Sequence, residues 1–160
     1  MADANIFHLL KADHDRHRVL LERLAQTSGE SDERRALFEE LRTELQAHAA
    51  AEETSLYATM LGDPDLRDEA RHSVAEHKEI DDFLGELVEI DMGSAAWLRK
   101  FKDMRHRYLH HIEEEEDDMF PEAEKELSAG CEKELAEVFQ KRKPAERARA
   151  RLEMPGDERE

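Results

Sequence analysis

A single cysteine, Cys131, stands in a chain of 160 residues. That excludes an intramolecular disulfide, a thiolate metal cluster and a Cys-x-x-Cys redox centre. Basic residues are outnumbered 24 to 41 by acidic ones, and the formal net charge is −17. A phosphate backbone needs a basic face, so nucleic acid is not the expected partner. No apolar stretch approaches membrane-spanning length, and no N-terminal run resembles a signal peptide, which makes a cytoplasmic location the expectation and a membrane partner not one. Aromatic residues are scarce at 6%.

What the chain does have is charge, at 41% of residues, with its apolar residues spaced at helical periods. That combination indicates a helical bundle rather than disorder, and the length suits one domain with a proper core. The first helix is expected from about Asn5 to Gln26, with Phe7, Leu10, Leu21 and Leu24 on its seam and Thr27-Ser28-Gly29 as its stop. A second, about Asp32 to Met60, carries Phe38, Leu41, Leu45 and Leu56, and Gly62-Asp63-Pro64 breaks it. Asp63 is the expected cap of a third helix that Pro64 starts and that runs to about Ile90. Ser94 is the expected cap of a fourth, ending near Pro121. A fifth is expected from about Cys131 to Lys143. The tail beyond Pro144, open between helix and frayed chain, is basic and is read as a solvated helix end in preference to a site for an acidic partner. With no strands and short connections, the expected architecture is all-α: an up-down-up-down four-helix bundle over residues 1–127, with an additional C-terminal helix and charged tail over 128–160.

The sequence also repeats itself at an offset of 63 residues. Ala12-Asp13-His14 returns as Ala75-Glu76-His77; Phe38, Leu41 and Leu45 return as Phe101, Met104 and Tyr108. His48, Glu52 and Glu53 return as His111, Glu115 and Glu116, and Leu56-Tyr57 as Met119-Phe120. One helical hairpin has been duplicated, which implies a pseudo-two-fold axis.

Six ionisable residues fall on the inward stripes: His14, His48, Glu52, His77, His111 and Glu115. Four imidazoles and two carboxylates in a small core cost several kcal/mol unless paired or metal-bound. Their depths agree. His14 lies 15 residues before Gly29 and His48 lies 19 after it; His77 lies 16 before Gly93 and His111 lies 18 after it. At about 1.5 Å per residue all six can meet in one layer. His-x-x-x-Glu sets its two side chains one turn apart on one face. Two such pairs and two single histidines suit two metal ions, each taking two imidazoles, with both carboxylates able to bridge. Iron fits imidazole and carboxylate without thiolate, and zinc or manganese remain open on ligand type alone.

The order His14, His48-x-x-x-Glu52, His77, His111-x-x-x-Glu115 resembles the hemerythrin family, in particular its bacterial HHE cation-binding branch, over about Asn5 to Glu122. The phrases Glu52-Glu53-Thr54-Ser55-Leu56-Tyr57 and Glu115-Glu116-Asp117-Asp118-Met119-Phe120-Pro121 share that likeness. The resemblance implies a four-helix bundle holding two Fe ions in an oxo- or hydroxo-bridged di-iron centre. It implies His14 and His48 on one iron, His77 and His111 on the other, and Glu52 and Glu115 as bridges. It also implies a small-molecule ligand (O2, NO or H2O2) bound for sensing, scavenging or stress response. A di-iron enzyme decomposing peroxide is an alternative, as is iron handling or iron–sulfur repair, though relatives of that last kind often carry a cysteine-bearing N-terminal domain not seen in this sequence. No protein partner is readable.

One departure bears on function. Oxygen-carrying members supply two histidines four apart from the third helix, but four residues before His77 stands Ser73. That argues against stable, reversible oxygen carriage. His17, one turn from His14, is the better candidate for an extra ligand, since His72 points roughly 140° from His77. Tyr57 is read as a core aromatic with its hydroxyl satisfied, in preference to a redox or ligand role. Glu53 and Glu116 are candidates for hydrogen bonds to histidine, with a solvated face as the competing reading. His8, His106 and His110 are expected at the surface, and Cys131 in packing.

Overall fold

Short polar side chains begin most of the helices. In the computed structural model, which describes residues 5–153, Asn5 accepts from the His8 amide at 2.9 Å and opens α1 (Ile6–Ala25). Ser31 accepts from Arg34 at 3.0 Å and opens α2 (Asp32–Glu52). Ser94 and Ser128 do the same for α4 (Ala95–Glu114) and α5 (Ala129–Leu152). Each satisfies an amide that the first helical turn leaves without a partner. α2 continues through a π-helical turn (Glu53–Tyr57) into a last α-turn (Ala58–Leu61), and α4 continues through a second π-turn (Glu115–Met119) into Phe120–Glu126. α3 spans Arg67–Glu89.

Three helices differ from expectation at their boundaries. The third helix starts at Arg67, because Asp63 instead closes a turn whose Oδ1 accepts from the Asp65 amide at 2.9 Å. The fourth helix passes Pro121 and ends at Glu126. Pro121 falls just after the π-turn, where the α-helix resumes and a missing N–H is tolerated. The fifth starts at Ala129 and runs through Pro144 to Leu152. Its last turn is tied down by Arg42, whose Nη1 donates to the Ala150 carbonyl at 2.8 Å and the Glu153 carbonyl at 3.1 Å.

α1 to α4 form an up-down-up-down bundle, and α5 lies along α2 and against α1. Gly29, at φ +64°, supplies the left-handed turn between the first two helices. Arg34 is buried beneath the loops, donating to the Thr27 and Met92 carbonyls at 2.8 and 2.7 Å, with its guanidinium 4.9 Å from the Trp97 ring. The apolar core falls into two halves. One, at the Gly29 end, joins Leu21, Leu24, Phe38, Leu84, Trp97 and Phe101. The other joins Phe7, Leu10, Leu56, Tyr57, Phe120 and Phe139. Between them lies a layer of buried histidines and glutamates. Among the described residues, no helix is long and apolar enough to cross a membrane.

The basic tail behaves in two ways. Lys141 and Arg151 are exposed, as a solvated helix end requires. Lys143 and Arg147 instead turn inward onto carboxylates of α1 and α2. Residues 154–160 of the expected tail lie outside the described residues.

Candidate metal centre

Each hairpin delivers its inward residues through the same local device. His48 and Glu52 stand on consecutive turns of α2, and the π-turn begins at the next residue; His111 stands on α4 with Glu115 one turn on, as the first residue of the second π-turn. A π-turn adds one residue to the helical repeat, and such turns recur at functional sites. Here it brings Tyr57 and Phe120, each five residues past its glutamate, into the core beside the histidines. Phe120 stacks on His14 with ring centroids 6.1 Å apart, and Tyr57 stacks on His77 at 5.3 Å.

The six residues come together. His14 Nε2 lies 3.3 Å from Glu115 Oε1, and His111 Nε2 lies 3.2 Å from Glu115 Oε2. His77 Nε2 and His48 Nε2 lie 3.2 and 3.6 Å from Glu52 Oε1. The donors form two groups of four that share Glu52 and Glu115. His14 and His48 complete one and His77 and His111 the other, with all donor atoms of a group within 4.8 Å of one another.

The remaining nitrogen of every one of these histidines meets a carboxylate. His48 Nδ1 is 2.8 Å from Asp13 and His111 Nδ1 is 2.9 Å from Glu76. His14 Nδ1 is 2.6 Å from Glu116, and His77 Nδ1 is 3.1 Å from Glu53. With Nδ1 bound to an anion, each ring presents Nε2 to the centre in a fixed orientation, the arrangement usual behind metal-binding imidazoles. Glu53 and Glu116 therefore make the contacts anticipated for them. Asp13 and Glu76 were not singled out from the sequence. Their signal was present, since each precedes an inward histidine and the two are repeat mates.

Burial opposes charge throughout this layer, and the outcome differs by residue. At His14 and His111 burial is outweighed by the neighbouring carboxylates, Glu115 for both with Glu116 or Glu76 respectively, which push both imidazoles up to about 9. At His48 burial prevails over Asp13, with His17 and His14 adding to it, and the ring is driven down to about 3. Burial and then the charge of Glu115 push Glu52 well up, while His111 and His14 hold Glu115 well down against its own burial. Protein partners do not exhaust these donors. His14 Nε2, His48 Nε2, both oxygens of Glu52 and Oε1 of Glu115 are buried without a hydrogen bond. Unsatisfied buried polar atoms are costly, and a cation placed among them would satisfy all five. The residues fit a metal.

The other candidates fall elsewhere. His17 is buried in the same layer, but its Nδ1 is 2.7 Å from the Tyr108 hydroxyl and its Nε2 lies 3.6 Å from Glu44. It falls with Asp13 and His48 in a third group, outside the two that share the glutamates. Tyr57 is buried and its hydroxyl donates to Glu115 Oε2, so the aromatic expected in the core also touches the centre. His72 is exposed and pairs with Glu76 and Glu114. His8, His106 and His110 are exposed, and Cys131 packs against the second core half.

The two sides of the layer differ in access. α5 covers the α1–α2 side, with Phe139 edge-on to His48 at 5.9 Å. On the α3–α4 side a cleft of about 280 Å³ reaches His111 and Glu115.

Residues 5–123 match the family model described as the hemerythrin HHE cation binding domain. A comparison with curated proteins gave no match. Among solved structures, the crystal structure of a hemerythrin HHE cation binding domain-containing protein from Mycobacterium kansasii is similar at 25% identity and a TM-score of 0.80. The similarity covers 91% of this chain and 89% of that one.

Proposed function

The chain belongs to the hemerythrin HHE cation-binding family, and on that footing we propose that His14, His48, Glu52, His77, His111 and Glu115 hold two iron ions that bind a small oxidant or gas. The observation that carries this reading is the pair of four-donor groups sharing two buried glutamates. One ion would leave two histidines of the layer with nothing to face; two ions with shared carboxylates use every donor. Imidazole and carboxylate without thiolate favour iron in a bundle.

When bound, the metal would supply electron transfer and open positions for a diatomic molecule or peroxide. The protein's part is to orient and to exclude. Asp13, Glu53, Glu76 and Glu116 fix the four rings, and the two apolar core halves keep bulk water from the layer. The cleft at His111 and Glu115 is where a small molecule would exchange. A second reading, peroxide decomposition, draws on one contact. The Tyr57 hydroxyl donates to Glu115, which holds a proton beside a shared carboxylate.

Iron loaded anaerobically and counted per chain tests the site, and spectra recorded with O2, NO and H2O2 test the function. About two irons per chain are expected, with a spectrum that one of the three molecules changes. Loaded protein whose spectrum ignores all three would defeat the small-molecule reading. Protein that takes up no iron would defeat the site itself. With excess peroxide, turnover many times the iron content would mark an enzyme, and stoichiometric bleaching would mark a binding protein.

A further inference from the structure

The duplicated hairpin has kept its two-fold pattern at the six central donors and departs from it at the α3–α4 cleft. At the α3–α4 cleft stand Glu69, His72, Ser73 and Glu114; their repeat mates, 63 residues earlier, are Ile6, Leu9, Leu10 and Ala51. Three of those mates are fully buried and Leu9 packs against the core. The first hairpin thus closes this position with hydrocarbon, and the second lines it with donors. His72 Nε2 lies 3.3 Å from Glu76 Oε1 and 3.7 Å from Glu114 Oε2, and one donor atom from each of the three lies within 4.8 Å of the others. His72 and Glu114 are open to solvent at the mouth, whereas Glu76 is buried and also bonds His111 Nδ1 at 2.9 Å. Glu115, 1% exposed and with Oε1 unpartnered, lines the inner end of the same cleft.

The geometry points to a metal-capture site at His72, Glu76 and Glu114 that takes a first-row divalent ion, ferrous iron, from solvent and loads the centre through the α3–α4 cleft. This rests on the dinuclear reading above. One imidazole and two carboxylates suit such an ion but make a shallow, three-donor site. A loading site needs that, because the ion must leave it. Glu76 is the common member: it faces His72 on the outside and His111 on the inside. Carboxylates gathered in a narrow cleft concentrate cations at its mouth and raise their rate of arrival. On the α1–α2 side α5 lies over the layer, and the acidic cleft there, lined by Asp15, Glu40, Glu44 and Arg147, reaches none of the six central donors.

The test is stopped-flow loading of metal-free full-length protein with ferrous iron under anaerobic conditions, with iron counted at the end point. The double variant His72→Ala/Glu114→Gln is compared with wild type and with Asp103→Asn, which removes a charge from an exposed position on the same helix. The cleft variant should load about tenfold or more slowly, at the low end of what electrostatic focusing supplies. It should reach the same final iron content, and the control should load like wild type. Equal rates with equal end points would overturn the capture site while leaving the dinuclear centre standing. Slowing of the control to the same degree would reduce the effect to net charge and also overturn it. Failure of wild type to load would overturn both readings.

Discussion

Replacing Glu115 with glutamine should strip the centre of its metal while leaving the bundle folded. Glu115 faces His14 and His111 and belongs to both four-donor groups, so its loss removes a donor from each proposed ion at once. Glutamine has the same volume and its carbonyl oxygen can still accept from Tyr57, so the packing around the site survives. A neutral amide oxygen is a poorer ligand than a carboxylate and cannot offset the charge of two cations. The expected result is near-zero iron after gel filtration, with helical circular dichroism unchanged. Glu115→Ala is the harsher variant. It leaves the Tyr57 hydroxyl and the two imidazoles buried without this partner, for which the loss of stability should be about 3–5 kcal/mol. Tyr57→Phe is the contrast: it removes a hydrogen bond to the carboxylate and should retain iron. A glutamine variant that keeps two irons and the wild-type spectrum would show that Glu115 is not shared between two ions.

The central layer was legible because its residues break a rule. Histidine and glutamate on an apolar stripe demand a partner, and finding the same break 63 residues later supplied one. The ring of carboxylates behind the histidines was only half legible. Glu53 and Glu116 stood beside the inward glutamates, but Asp13 and Glu76, next to inward histidines, stand at the edge of the apolar stripe, where an acidic residue reads as a boundary position facing water. What buries them is the neighbouring helix, and α5 in the case of Asp13. The π-turns were invisible for a related reason. A single extra residue in a helical repeat barely alters the 3.6-residue pattern, and it forms only because the tertiary layer holds Glu52 and Tyr57 inward together. Pro144 left the state of the tail open between helix and frayed chain. Local propensity favours a stop there, whereas ion pairs at Lys143 and Arg147 hold the chain helical on both sides of it.

Those ion pairs carry the second large effect. Glu44 is 3% exposed, with Oε1 accepting from Lys143 at 2.5 Å and Oε2 from Arg147 at 2.9 Å. Lys143 also reaches Asp13 Oδ2 at 2.7 Å, the oxygen that meets His48 Nδ1. The α5 tail is thereby fastened to α1 and α2 at the back of the histidine layer. Glu44→Ala would leave two cations facing a buried gap and should destabilise the protein by about 3 kcal/mol, the low end for a broken buried pair. Lys143 keeps Asp13, and Arg147 can turn to water. The effect has a sign in pH. Burial raises the Glu44 carboxyl, but His17 and Lys143 overcome that and hold it at about 2, below its ordinary 4.5. A carboxyl depressed in the folded state stabilises fully above its unfolded value, and the contribution disappears as pH falls toward the folded one. By about pH 3.5 roughly 1.4 kcal/mol of it should be gone. Urea unfolding of wild type and Glu44→Ala, followed by circular dichroism with a chelator in both samples, should therefore show a gap that narrows by that amount between neutral pH and about 3.5. A gap that stays constant would mean that the variant's defect is lost packing against α5, with the charge of Glu44 contributing nothing.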